Sequence, residues 1–314
     1  MSQLKKIRRS LRRPFETGGL VLLGWIIPVL PRSVVVGLSK LAGQLAWLLP
    51  LREKRIGLKN VDAVFGNTKT AAEKRFILST SFATFTLTML DVFWFSKNPE
   101  KRILEYVETD PSFEPFFLAK ANICIAAHFG NWELMPQFLA LQGGDVSAIA
   151  ATVKNKAVDR ILTKRREKTG QTIIPQKGAL RTLIARLRKN GKVGFALDQN
   201  TSEKEGGRAV DFLGLPMLVS TAPAALAYRT GTEILFAFCM PLPNGKYRLY
   251  STGALQPPAF DKERDADHEA LGLTQQIQDT LSAEIRAHPE YWLWSYRHWR
   301  RTSGKTYPSN YPDY

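Results

Sequence analysis

Short apolar runs alternate with amphipathic stretches over the second part of the chain. The apolar runs that have the length of buried strands are 122–127, 147–153, 172–175, 192–197 and 233–240. A turn at 241–245 leads into a further run at 246–251, which predicts a hairpin. The stretches with helical spacing are 132–141, 155–169, 179–189, 221–230 and 267–287. This alternation predicts an α/β domain with a largely parallel central sheet flanked by helices.

The preceding region, residues 51–120, is predicted to be mostly helical. Within it, residues 71–95 are apolar at mixed spacing and include six aromatic side chains. So many exposed aromatic rings would be unusual, so we expect them to line a core or an apolar groove. We therefore expect one domain over 51–301, followed by a tail at 302–314.

Two apolar runs, 18–31 and 34–50, follow six basic residues within 5–13. A helix that spans a bilayer needs about 20 apolar residues, whereas prolines interrupt the first run and polar residues the second. No small-x-small cleavage site of a signal peptide follows. We predict that residues 1–50 are an uncleaved helical segment that dips into a membrane or lies on its surface. The alternative is that both runs are buried helices of a soluble domain.

The charge of the chain is strongly positive. It carries 44 Lys and Arg residues against 28 Asp and Glu, a formal net charge of +16. Such an excess favours a polyanionic partner: nucleic acid, an anionic membrane face or an acidic carrier protein. Basic residues directly before an apolar segment favour the cytoplasmic face of a membrane. Because no nucleic-acid-binding motif is present, we expect no nucleic-acid partner.

The two cysteines, Cys124 and Cys239, each lie inside an apolar run and are predicted to be reduced core residues. Neither belongs to a Cys/His pattern with the spacing of metal ligands. We expect no metal and no cofactor.

His128 is the best candidate for a general base. The apolar run 122–127 leads directly into it, so it is expected at the carboxyl end of a strand, where the sites of α/β sheets form. Gly130 and Asn131 can make a tight turn, and Glu133 lies near the first turn of the helix that follows, from where it can fold back towards the imidazole. A carboxylate that orients a histidine allows it to deprotonate an alcohol. The alternative is a partly buried structural histidine.

The segment His-Phe-Gly-Asn-Trp-Glu at 128–133 resembles the H-X4-D/E motif of glycerolipid acyltransferases, and its Gly-Asn-Trp centre resembles the late acyltransferases of lipid A biosynthesis. Other segments of the chain resemble motifs of that family in the same order. These segments are 55–60, 166–170, 197–199, 210–216 with Thr221 and Pro223, and 289–297. The ordered set covers roughly residues 50 to 301 and identifies the chain as similar to this family.

The resemblance implies a glycerolipid acyltransferase-like fold at a bacterial inner membrane, with the active site on the cytoplasmic face. It implies direct transfer of a fatty acyl chain from a thioester, with acyl carrier protein as the expected donor, to a hydroxyl of a lipid A precursor. The alternatives are acyl-CoA as donor, another glycolipid (such as a mannosylated phosphoinositide) or a lysophospholipid as acceptor, or a non-catalytic membrane-binding protein. The chain departs from the family pattern at Leu213, Ser295 and Tyr296, and these departures concern the acceptor.

The resemblance also implies roles for the residues around His128. Arg166 is expected to contact the oxyanion or a substrate phosphate, with a solvated helix charge as the alternative. Asp198 is expected to position Arg166 or the substrate, with a helix cap or Asx turn as the alternative. An amide of Gly130 or Asn131 is expected to reach the oxyanion. The remaining residues expected to contact substrate are Gln199, Gly214 and Pro216.

Two further groups of residues leave alternatives open. The basic residues within 154–168 and 181–189 are expected either to bind an anionic headgroup or acidic carrier, or to form an ordinary solvated face. The tail tryptophans are expected either at a membrane interface or packed across the domain. These tryptophans are Trp292, Trp294 and Trp299.

Overall fold

The computed structural model describes residue 14 and residues 17–118, 120–150, 155–176, 178–301 and 306–314. The basic run at 5–13, Lys154 and the end of the predicted strand 147–153 lie outside the described residues. The first four described helices are α1 (Thr17–Val29), α2 (Arg32–Leu48), α3 (Arg52–Phe65) and α4 (Ala71–Trp94).

Helix α4 begins at a capping box, in which Thr70 accepts from the Glu73 amide and the Glu73 carboxylate accepts from the Thr70 amide. The helix packs closely on α2. A side chain at Gly43 of α2 would place its Cβ 2.5 Å from the Ser79 carbonyl oxygen, so this approach requires glycine.

Among the described helices, α4 alone is individually long and apolar enough to cross a bilayer, and α2 with α3 would qualify only as a pair bent by 82°. In α4, however, 56% of the apolar window is buried against the rest of the protein. Its aromatic residues are thus partly in the core, as the sequence predicts. Phe93, Trp94 and Phe95 are buried, whereas Phe76 is 60% exposed.

The described strands are β1 (Val107–Thr109), β2 (Asn122–Ala126), β3 (Val146–Ala150), β4 (Thr172–Pro175), β5 (Lys192–Ala196), β6 (Gly207–Phe212), β7 (Leu215–Ser220), β8 (Ile234–Pro241) and β9 (Tyr247–Leu255). Seven of them form a central sheet in the order β1-β9-β8-β2-β5-β3-β4. Every neighbouring pair in it is parallel except β8–β9, the predicted hairpin. The predicted α/β fold with a largely parallel sheet is therefore confirmed.

The hairpin β6–β7 is separate from the central sheet, and the sequence did not predict it. Its turn is formed by Leu213 and Gly214, which both have positive φ values of 56° and 83°. Glycine and short polar residues favour this region, whereas a leucine rarely adopts it. The leucine at this turn position concealed the hairpin.

The later helices are α5 (Pro99–Tyr106), α6 (Leu134–Leu141), α7 (Lys156–Arg166), α8 (Leu180–Leu187), α9 (Ala222–Thr230) and α10 (Ala266–Ala287). They cover the sheet on both faces, as the two different cores to which alternate residues of β2 belong show. Ile123 and Ile125 share a buried cluster with residues of α10, whereas Cys124 and Ala126 share one with residues of α6. Both cysteines are buried and unpaired, as expected.

The sheet brings the ends of two strands together. Strands β2 and β5 are parallel neighbours, with Ala126 opposite Ala196. The chain therefore leaves both strands at the same edge, and the residues that follow each of them come close in space.

Candidate active site

His128 lies two residues beyond β2 and pairs with Asp198, two residues beyond β5. The distance from His128 Nδ1 to Asp198 Oδ1 is 2.8 Å, and the backbone N–H of His128 donates to Asp198 Oδ2 over 2.9 Å. Asp198 is fully buried, whereas the His128 side chain remains 22% exposed. The carboxylate thus fixes both the ring and the backbone of a histidine that solvent or a ligand can reach.

Asp198 is also held from the carboxyl-terminal motif. The indole Nε1 of Trp292 donates to Asp198 Oδ2 over 2.8 Å, and the His298 ring contacts the Asp198 carbonyl oxygen at 2.9 Å. The Trp292 and His298 rings stack with centroids 4.2 Å apart, and neither is exposed. Three groups therefore bond to the carboxylate, namely the ring and the backbone N–H of His128 and the indole of Trp292, while His298 contacts the backbone of the same residue.

These contacts decide the alternatives for the tail tryptophans. Trp292, Trp294 and Trp299 each have a relative exposure of 0%, so they pack across the domain and do not lie at a membrane interface. Trp292 and His298 are the residues near the site that sequence reasoning did not assign to it. The available signal is the 289–297 motif, which contains Trp292 and ends next to His298, but neither expectation for it, an interface or packing across the domain, points to Asp198.

The electrostatics of the pair favour a charged couple. Burial alone lowers the pKa of His128, but the charge and hydrogen bond of Asp198, with a contribution from Glu133, raise it above its ordinary value. Burial alone raises the pKa of Asp198, but His128 brings it well below its usual range. Asp198 is therefore ionised at neutral pH and supports a proton on His128.

The bond to Asp198 also sets which nitrogen of His128 faces the opening. When the neutral ring donates its Nδ1 proton to the carboxylate, Nε2 carries the lone pair that can accept a proton. Trp132 packs against the ring with centroids 5.0 Å apart, and Phe85 stacks on Trp132. The ring is thereby held by packing as well as by hydrogen bonds.

Gln199 lies against the same ring. Its amide nitrogen is 3.4 Å from Nδ1 and 3.3 Å from Nε2 of His128. A nitrogen equidistant from both ring nitrogens lies along neither in-plane lone pair. Gln199 therefore contacts the ring away from the axis of either lone pair, and Nε2 has no bond to Asp198.

Glu133 pairs with Arg166 and not with His128. Arg166 Nε donates to Glu133 Oε2 over 2.8 Å, and Nη2 donates to Oε1 over 2.6 Å. The expected partners are thus exchanged: the orienting carboxylate of His128 is Asp198, and Arg166 is positioned by Glu133. The reason is the register of β2 with β5, which spacing along the sequence does not reveal. Arg166 Nη1 is the guanidinium nitrogen that this two-pronged bond leaves over.

The amides of Gly130 and Asn131 do not serve an oxyanion, contrary to expectation. The Gly130 N–H donates to the Tyr291 carbonyl over 3.0 Å, and the Asn131 N–H donates to the Cys239 carbonyl over 2.9 Å. Gly130 has a φ of 55°, and a Cβ there would collide with the Cys239 carbonyl oxygen. These two residues lock the loop to β8 and to the tail motif.

Gly214 and Pro216 belong to the β6–β7 hairpin, which docks on α10. Arg286 Nη2 donates to the Leu213 carbonyl over 2.8 Å, and Ser282 Oγ accepts from the Leu213 amide. The described residues show no hydrogen bond between Gly214 or Pro216 and the His128–Asp198 pair. The hairpin meets the site through Phe212, whose ring lies 5.6 Å from that of Trp292. A substrate contact of Gly214 or Pro216 stays a prediction.

No group of three His, Cys, Asp or Glu side chains within the described part of the chain is arranged to hold a metal ion. What the site offers is one histidine with an open Nε2, a buried carboxylate behind it and a guanidinium nearby. That set suits proton transfer from a hydroxyl and stabilisation of a developing negative charge.

Comparisons with known proteins agree in the class of chemistry. A phosphatidylinositol mannoside acyltransferase of Mycobacterium tuberculosis, found in strains CDC 1551 and H37Rv, is 28% identical over 170 residues, which are 52% of this chain and 50% of that protein. Its counterpart in Mycolicibacterium smegmatis is 23% identical over 194 residues, 60% of each chain. The chain thus spans about half the length of the Mycobacterium tuberculosis relatives.

A solved structure, the 1-acyl-sn-glycerophosphate acyltransferase of Thermotoga maritima, aligns with 82% of this chain and 99% of that one, with a TM-score of 0.35 and 16% identity. The sequence profile of the bacterial lipid A biosynthesis acyltransferases matches residues 5–301. Since that match covers nearly the whole chain, the protein belongs to the bacterial lipid A biosynthesis acyltransferase family.

Proposed function

We propose that this protein transfers a fatty acyl chain from a thioester to a hydroxyl of a membrane glycolipid, with His128 as the general base. The observation that carries the proposal is the bond between His128 Nδ1 and the buried Asp198, which leaves Nε2 open. The hydroxyl proton passes to Nε2 as the oxygen attacks the thioester carbonyl. The tetrahedral intermediate then loses the sulfur, and the imidazolium returns its proton to the departing thiolate.

Arg166 is the proposed contact for the oxyanion or for a phosphate of the acceptor. Its two-pronged bond to Glu133 holds the guanidinium plane in a fixed orientation. The remaining Nη1 can then bind a ligand with little further loss of side-chain conformational entropy. Asp198 positions His128 and does not contribute to holding Arg166.

For the donor we favour acyl carrier protein, an acidic protein, over acyl-CoA. The support is a set of exposed basic side chains on α7 and α8 and just after them. These residues are Arg160, Lys164, Lys168, Arg181, Arg188 and Lys189. Charge complementarity of this kind raises the association rate more than the affinity. Acyl-CoA is also anionic, and the two donors separate in the assay below.

For the acceptor we favour a lipid A precursor, which follows from the family and not from the site. The mycobacterial relatives make a mannosylated phosphoinositide the specific alternative. A membrane location is supported by exposed apolar side chains on α1 and α2, and the cytoplasmic face by the basic residues at 5–13 that precede them. Trp25 is 77% exposed, Val29 64% and Leu48 68%. Such a patch on a soluble protein marks an interaction surface.

The test is an acyl-transfer assay with purified full-length protein on vesicles. A labelled acyl chain is delivered on acyl carrier protein or on CoA to a lipid A precursor, a phosphatidylinositol mannoside or a lysophospholipid. We expect labelled lipid A precursor with acyl carrier protein as donor. Label that appears only in another lipid would show that the proposed acceptor is wrong. Label that appears only with acyl-CoA would show that the proposed donor is wrong.

The matched variants are His128→Ala and His268→Ala. His128→Ala should lower kcat at least about 100-fold, the usual contribution of a general base. His268 is exposed on α10, so its alanine variant should keep wild-type turnover. Near wild-type turnover in His128→Ala, or no labelled lipid with any pair of substrates, would reject the proposal.

A further inference from the structure

We propose that Arg32, at the start of α2, is a positioning residue for the acyl-transfer reaction and acts on the His128 loop through Asp91 and Asn131. Arg32 bonds to Asp91 of α4, and the Asn131 side chain donates to Asp91 Oδ2 over 3.0 Å. A chain of two contacts therefore joins the outer helix α2 to the loop that carries His128. The proposal rests on the proposed function, since the loop is assigned its task there.

The guanidinium of Arg32 is fully engaged. Nε donates to the Gly245 carbonyl over 2.8 Å, Nη1 donates to Asp91, and Nη2 lies 3.2 Å from Asp91 Oδ2 and 3.4 Å from the Tyr247 hydroxyl. Aromatic rings surround it, with the Trp94 centroid 4.9 Å away. Arg32 is only 7% exposed, so its partners and orientation are fixed by the interior.

Asp91 is the centre of the arrangement. Its carboxylate accepts from Arg32, from the Tyr247 hydroxyl and from the Asn131 amide, and it is 1% exposed. A buried ion pair gains little net stability over apolar side chains of the same shape, because both charges lose their hydration. Its directional bonds are what an apolar substitute lacks, and one of those bonds ends on the loop.

The same helix holds the loop at a second point. Thr88, nearly one turn before Asp91, donates to the Gly130 carbonyl over 2.9 Å. Gly130 and Asn131 are two of the four residues between His128, the proposed base, and Glu133, the partner of Arg166. A displacement of this pair would therefore move the proton acceptor and the partner of Arg166 together.

Arg32 also belongs to the helix that carries the exposed apolar surface. The buried side of α2 includes Val35, Ser39 and Gly43, whereas Leu38, Leu41 and Leu45 on its other side are 42%, 55% and 46% exposed. The helix that presents this surface is thus tied at its first residue to the loop of the site. We infer that the position of α2 contributes to the position of the His128 side chain.

The test separates positioning from folding. In Arg32→Met/Asp91→Leu apolar side chains of similar size replace both charges, so no charge is left buried without a partner. The Gly245 carbonyl, the Tyr247 hydroxyl and the Asn131 amide each lose a partner, so the unfolding temperature should fall, and kcat is compared at a temperature where the variant is folded. The Asn131 amide then has no carboxylate to hold it. We expect kcat to fall about 10- to 100-fold, the scale of a small misplacement of reacting groups, with the donor KM within about twofold of wild type.

Two further variants make the test specific. Asn131→Ala leaves the Arg32–Asp91 pair in place and should lower kcat to a similar degree, and combining it with the double variant should cause little additional loss. The control is Arg102→Met. Arg102 stacks on the same Trp94 and bonds to the Trp94 and Pro28 carbonyls, but it does not touch Asp91. It should keep wild-type kcat.

The His128 ring is also titrated by NMR, with its signal assigned through His128→Gln. This measurement needs no substrate, so it tests the positioning even if the proposed function fails. A loosened loop should weaken the bond to Asp198 and lower the pKa of His128 in both variants. Wild-type kcat with an unchanged His128 titration in Asn131→Ala, or in a folded double variant, would overturn the proposal.

Discussion

Asp198 accepts a hydrogen bond from the ring of His128 over 2.8 Å, although 70 residues separate them along the chain. The contact exists because β2 and β5 are parallel neighbours in register. It makes Asp198 the orienting carboxylate and leaves Glu133 to hold Arg166. The pair is a positioned base of the kind that hydroxyl activation requires.

The pH dependence of kcat/KM should follow this bond. Because His128 must be unprotonated to accept a proton and its pKa is raised, activity should fall with decreasing pH at a midpoint above the ordinary value for histidine. Asp198→Asn removes the charge that raises the pKa, so the acid limb should move to lower pH while kcat falls at least about 100-fold. The control Asp279→Asn, at an exposed site on α10, should reproduce the wild-type profile. An unshifted acid limb in Asp198→Asn would contradict the assignment.

Trp292→Phe should weaken both stability and activity. It removes the donor to Asp198 Oδ2 and leaves a buried charge with one bond fewer, at a cost of about 1.5–3 kcal/mol in the free energy of unfolding. We expect kcat to fall about tenfold because Asp198 is then less firmly held. Trp294→Phe is the matched control: Trp294 is equally buried in the same motif, but its indole donates to the Pro289 carbonyl. Denaturant titration and turnover would be measured for both, and equal losses of kcat would argue against a specific role.

Glu133→Gln and Arg166→Lys should each lower kcat about tenfold, since each breaks a two-pronged, charge-assisted contact. The combined variant should lose little more kcat than either variant alone, because the two side chains act as one unit. Arg186→Lys serves as the control. Its pair with Asp145 is exposed, and such pairs contribute about 0–1 kcal/mol. Additive losses in the combined variant would show that Glu133 and Arg166 act separately.

Gly130→Ala should destabilise the protein by at least about 2 kcal/mol and abolish turnover, because a Cβ there meets the Cys239 carbonyl oxygen at a positive φ. Gly143→Ala tests the backbone strain alone. Gly143 also has a positive φ, of 83°, but open space around it, so about 1 kcal/mol and unchanged kcat are expected. Thermal unfolding and turnover of the two variants distinguish collision from strain.

The sequence predicted the sheet and the position of His128 because both depend on local patterns. An apolar run that ends in histidine places that residue at a strand end wherever the strand lies. The partner of His128 depends on which strands are neighbours, and spacing along the chain pointed to Glu133 because it is only five residues away. Asp198 was found only as a motif residue, with a different task.

The tail motif and the β6–β7 hairpin show a second reason why part of the structure could not be predicted from the sequence. Trp292 and its neighbours are compatible with a membrane interface by composition alone, since an indole suits both an interface and a core. Only the tertiary structure shows Trp292 against Asp198. The hairpin turn contains a leucine at positive φ, which local propensity predicts against.

Helix α4 has a consequence for how the protein can be divided. Ser81 donates to the Trp292 carbonyl, Thr88 to the Gly130 carbonyl, and Asp91 accepts from Asn131. A fragment that starts at the first strand would contain His128 and all its neighbours in the sheet, but none of these three anchors. The sheet is therefore not a self-sufficient catalytic module, and a minimal engineered version has to include α4.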